Sequence, residues 1–187
     1  MRPVSDAFLL NMAEVSAALI GLFIVGMFFF VETGFRHMPH ATLVQPYFRS
    51  STRIVLVLYA IPIGVSITLV ALDLPWSRVL FAVLSVLLVA ANVDTARRSR
   101  SVVHLTRSTA LAANEVVGTV AVAALVVVPW ALGGLHPTRE DLTWGIILAF
   151  GSGFLSVCVT VLFAFDLARI DDRGATSDDV DDLDLDS

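Results

Sequence analysis

The chain reads as an all-α polytopic membrane protein: five transmembrane helices in one bundle, with the amino terminus outside and the carboxyl terminus inside. Three observations carry that reading. The 187 residues are 57% hydrophobic and only 16% charged, with mean hydropathy +0.83, too apolar for a water-soluble domain of this length. Five stretches, about 7–31, 53–74, 77–94, 111–132 and 143–166, are each long enough to cross roughly 30 Å of hydrocarbon as a helix. No polar segment of domain size lies between them. Residues 1–170 are thus expected to form a multi-pass bundle in the cell membrane, and 171–187 a separate tail.

The first stretch includes "NMAEVSAALIGLFIVGMFFFVE", from Asn11 to Glu32. It is too long for a secretion signal and no small-residue cleavage site precedes "ETGFRH", so a retained helix is expected. Its unusual member is Glu14, which a rise of about 1.5 Å per residue puts on the order of 10 Å inside the membrane. A charged carboxylate there costs about 2.5–3.5 kcal/mol on insertion scales, so Glu14 is expected to face protein or water. Asn11, one turn earlier, is its nearest candidate partner, and Ala18 and Gly21 continue that face with small side chains. The pair Glu14 and Asn11 could bind a proton or cation, or could lock the helix to a neighbour.

The second stretch contains Pro62 in "YAIPIGVSITL", which removes one backbone donor, frees the carbonyl of Leu58 and predicts a kink. The connection "LDLPWSR" reads as a tight turn, with Pro75 stopping the second helix and Trp76 at headgroup depth. After the third stretch, "DTARRSRSVVHLTRST" would, if helical, align Arg97, Arg100, His104 and Arg107 on one face. Such a stripe suits anionic lipid headgroups, with Arg97, Arg100 and Arg107 as the contacts.

In the fourth stretch, "ANEVVGT" places Asn114 beside Glu115, a second polar station for an ion or a partner for interfacial arginines. In the fifth, Gly145, Ala149 and Gly153 recur at four-residue spacing, and Ser152, Ser156 and Thr160 form a hydroxyl stripe. Ala13, Ala17 and Gly21 supply a matching small face on the first helix, so helices one and five are expected to pair, or to form the contact in a homo-oligomer.

Arginine placement sets the orientation, because short basic loops stay in the cytoplasm. Arg36, Arg49, Arg53, Arg97, Arg98, Arg100, Arg107, Arg169 and Arg173 fall on one side, and only Arg2, Arg78 and Arg139 on the other. Arg53, Asp94, Arg97 and Asp166 then collect at the inner interface, where Arg53 and Asp166 are expected to be drawn into the bundle and to pair. The net charge of -5 is asymmetric: residues 171–187 hold eight aspartates against one arginine. That tail is expected to be disordered and exposed, able to dock a partner or simply to solubilise.

The remaining chemistry is sparse. Cys158 is the one cysteine, which excludes an intramolecular disulfide and a CxxC metal site. No HExxH, GxSxG, Walker A or GxGxxG pattern is present, and His37 and His40 lack a third ligand at useful spacing. No cofactor, metal or catalytic residue is expected, and the arginines flank membrane segments without the aromatic platforms of a nucleic-acid binder. Two functions fit. One is a small oligomeric proton or cation channel, or a transporter component, using Glu14 with Asn11 and Glu115 with Asn114. The other is a non-enzymatic membrane scaffold or regulatory subunit with an acidic docking tail. A membrane enzyme working on headgroups through the inner charge cluster is a third, weaker reading.

Overall fold

A computed structural model describes the backbone over residues 4–33, 41–106 and 109–181, and side chains over 4–29, 31–32, 49–97, 116–159 and 161. Its elements are α1 (Asp6–Thr33), α2 (Ala41–Ala71), α3 (Leu74–Thr106), α4 (Thr109–Gly133) and α5 (Arg139–Asp181). Each contains a stretch long and apolar enough to cross a membrane: Asp6–Phe29, Arg49–Ala71, Leu74–Arg97, Val116–Gly133 and Arg139–Val159. Backbone groups in hydrocarbon have no water to bond, so a helix that satisfies its own donors and acceptors is the form such segments take.

The helix ends follow local chemistry. Ser5 caps α1, its Oγ accepting from the Phe8 amide at 3.3 Å. Between α4 and α5, Gly134 takes a left-handed φ of 60°, which ends α4 as glycine commonly does. Thr138 and Asp141 then form a reciprocal cap on α5: the Thr138 amide donates to Asp141 Oδ2 at 2.7 Å, and the Asp141 amide to Thr138 Oγ1 at 3.4 Å.

Pro75 departs from expectation. It does not stop the second helix, which ends at Ala71; it lies in the first turn of α3, which begins at Leu74. Proline is favoured there because the first-turn amides have no intrahelical acceptor to lose. The sequence after the third stretch is helical as far as Thr106, so Arg97, Arg100 and His104 share one helix, whereas Arg107 lies outside the described residues. The backbone of α5 likewise runs as helix to Asp181, into the segment expected to be unfolded; 182–187 lie outside the described residues.

Packing centres on α2, which contacts α1, α3 and α5, while α4 lies against α5 and α3. Its span is the most buried of the five, with Val55, Tyr59, Ile61 and Val65 fully enclosed. The expected pairing of helices one and five is not what forms. α1 packs chiefly on α2; of the three residues Ala13, Ala17 and Gly21, the first is buried and the other two are exposed. The small face of α5 is used, but elsewhere: an added Cβ at Gly145 would meet Phe81 and Pro129, and one at Gly153 would meet Tyr59. Small residues permit close approach without specifying the partner, and here bulky rings from α2, α3 and α4 fill the space.

At the end where α1 starts, α5 is tied to its neighbours by arginines. Arg139 pairs with Asp6 of α1, and Arg78 of α3 donates to the carbonyls of Pro137 at 2.9 Å and His136 at 3.4 Å. Two of the three arginines on the expected outer side are thus held in contacts. Arg78→Ala strands two carbonyls of the α4–α5 turn. It is expected to lower unfolding stability in micelles by about 1 kcal/mol, seen as a reduced denaturant midpoint; an unchanged midpoint would show that water replaces the contact without loss.

Candidate functional site

Successive helical residues turn by about 100°, so residues two or nine apart point to nearly opposite sides. On α1 this separates two faces. Leu9, Ala13, Ser16 and Phe23 are buried, Ser16 Oγ donating to the Met12 carbonyl at 2.6 Å. Glu14, two residues before Ser16 and nine before Phe23, is exposed, as are Asn11, Ala18, Gly21 and Val25 on the same side. The sequence reading of a face shared by Asn11, Glu14, Ala18 and Gly21 is therefore met, but that face points away from the bundle. Cβ atoms built on Gly21 and Gly26 would touch nothing.

Glu14 lies eight residues beyond Asp6, about 12 Å along the axis. Six to eight residues from the same end, the other helices contribute Val65, Phe81, Leu125 and Ile146 to one apolar cluster, all fully buried. These four side chains offer a carboxylate no polar partner, and Glu14 points away from them. Among the described residues neither Glu14 nor Asn11 forms a side-chain hydrogen bond or ion pair. Asn114 and Glu115 lie on α4, and their side chains are outside the described residues.

The opposite end of the bundle brings together part of the expected charge cluster. Arg53 Nη1 lies 3.9 Å from Asp94 Oδ2, with side-chain exposures of 55% and 38%. Beside that pair, buried Ser50 places Oγ 2.6 Å from Thr95 Oγ1 and 3.5 Å from Asp94 Oδ2, and Thr95 Oγ1 donates to the Ala91 carbonyl at 2.9 Å. Arg97 is exposed, and the side chains of Arg100 and Asp166 lie outside the described residues, as does Arg107 altogether. Arg53 therefore faces α3 through Asp94. An open ion pair of this kind contributes little, so Arg53→Gln is expected to shift stability by less than about 0.5 kcal/mol, and a larger loss in chemical unfolding would indicate a more enclosed pair.

One group escaped the sequence reading. Tyr59 is fully buried midway along α2, edge-on to Phe150 with centroids 6.4 Å apart, and its hydroxyl has no partner among the described residues. Its signal was positional: membrane tyrosines favour the headgroup belt, and this one sits mid-span. The hydroxyls of Ser66, Ser77 and Ser85 are buried in the same state. Among the described residues no group of three or more His, Cys, Asp or Glu side chains could hold a metal ion. No protein-family model matches this chain, and no significant match was found among the curated proteins or the solved structures.

Proposed function

We propose that this chain is a non-enzymatic, multi-pass subunit of a cell-membrane assembly, and that it works by lateral association of α1 with another transmembrane helix. The observation that supports this most directly is the placement of Glu14 and Asn11 on the outward face of α1. In hydrocarbon an uncovered carboxylate costs about 2.5–3.5 kcal/mol on insertion scales, and a covering helix with a hydrogen-bonding group removes much of that cost. The outward faces of α3 and α4 offer a contrast, with Val79, Val83, Val86, Val120 and Val127 suited to lipid. The arginine distribution favours the amino terminus outside and the acidic tail inside, with Arg97 and Arg100 at anionic headgroups.

The test is size in a mild detergent. Wild-type chain is expected to elute as a complex, α1 variants Glu14→Ala with Gly21→Leu as a monomer, and the α4 control Val120→Leu as wild type. A wild-type monomer, or a complex indifferent to the α1 changes, would overturn the reading. A second reading, a proton or cation path, draws on the same polar pair, which would line a seam between assembled chains. It predicts flux in liposomes that Glu14→Gln abolishes; equal background flux from both proteins removes it.

A further inference from the structure

We infer that the helix covering the outward face of α1 is α1 of a second copy, packed in parallel about a two-fold axis normal to the membrane. This rests on the lateral-association reading and names its occupant. The exposed residues Asn11, Glu14, Ala18, Gly21, Val25 and Phe28 are spaced alternately by three and four. That is the 3.5-residue period of a left-handed helix pair, in which such positions form one seam. The face buried on α2 lies on the other side of the helix, so these six seam residues are exposed among the described residues.

What selects a second copy is self-complementarity at equal depth. Copies inserted in one orientation meet position to position, as a two-fold interface requires. A carboxamide both donates and accepts, so Asn11 bonds its own counterpart across the axis, and a buried asparagine at a seam position fixes register in this way. One turn deeper, the two Glu14 carboxyls meet. Two carboxylates side by side in a medium of low dielectric repel, and a proton held between them converts repulsion into a hydrogen bond. Among the described residues, the ionisable side chain of α2 nearest that depth is Tyr59, on its buried side, while Asp6 and Arg139 pair at the end of the bundle. Ala18 and Gly21 then let the two backbones approach, which van der Waals contact rewards in lipid.

The experiment uses purified full-length chain carrying Cys158→Ser, reconstituted in phosphatidylcholine vesicles, with one new cysteine at a time and a mild oxidant. Ala18→Cys and Gly21→Cys lie on the seam and should form disulfide-linked dimers. Val15→Cys and Ile24→Cys are equally exposed on the same helix but off the seam, and should form few. Asn11→Ala with Glu14→Ala should cut seam crosslinking roughly tenfold, from interhelical hydrogen bonds of about that worth. Glu14→Gln, which keeps the hydrogen bonds and lacks the charge, should crosslink at least as well as the parent. Equal yields at all four positions would overturn the inference. Seam crosslinks to a different polypeptide in native membranes, with no dimer in pure vesicles, would also overturn it yet leave lateral association standing. No crosslink in either setting would overturn both.

Discussion

Gly145→Val is expected to lower the stability of the bundle by about 2–3 kcal/mol, measured as a fall in the unfolding midpoint in micelles. A Cβ at Gly145 would sit 2.8 Å from Phe81 Cε2 and 3.0 Å from both Phe81 Cζ and Pro129 Cγ. Neither neighbour can yield cheaply. Phe81 is fully buried, and Pro129 is a rigid ring inside α4. Valine adds three carbons to a junction where α3, α4 and α5 already touch, so the helices must separate. If the clash with Phe81 is the cause, Phe81→Leu should be less harmful in the Gly145→Val background than in the wild type, giving a coupling of about 1 kcal/mol. Strict additivity of the two changes would mean that Pro129, not Phe81, sets the cost.

The second large effect belongs to Tyr59. Tyr59→Ala removes a fully buried ring from the junction of α1, α2 and α5, where it touches the path of Gly153 and packs with Phe23 and Val55. In soluble cores such truncations cost about 3–5 kcal/mol. In lipid the transfer part is small, because the unfolded helices still sit in hydrocarbon, and the lost packing contacts remain. About 2–3 kcal/mol is therefore expected, together with loosening of α1. Tyr59→Phe separates the ring from its hydroxyl. That hydroxyl is buried without a partner among the described residues, so its removal should be neutral or stabilising by up to about 1 kcal/mol. A clear loss of stability in Tyr59→Phe would instead reveal a hydrogen bond at that oxygen.

The candidate site shows how far a one-dimensional reading reaches. That Asn11, Glu14, Ala18 and Gly21 share a face follows from helical periodicity alone, and the structure has them so. Whether the face looks inward does not follow. A soluble helix announces its buried side by polarity, but α1 is apolar on nearly every side, and lipid accepts the same side chains that a protein core accepts. The charges at the opposite end of the bundle behave alike. Arg53 had several acidic candidates of similar depth, and its facing Asp94 depended on how α2 and α3 align.

By itself, then, the sequence determined the number and class of the helices long and apolar enough to cross a membrane, because helix formation in hydrocarbon is a local demand met within each segment, but not their limits, since α2 starts at Ala41 and α5 runs to Asp181. It also determined that an acid, Glu14, falls within the first apolar run. Only the tertiary structure decided that α2 sits at the centre, that Gly145 and Gly153 receive Phe81 and Tyr59, and that Glu14 faces out. Those outcomes turn on shape complementarity between whole helices, a property of pairs of surfaces that no single segment encodes.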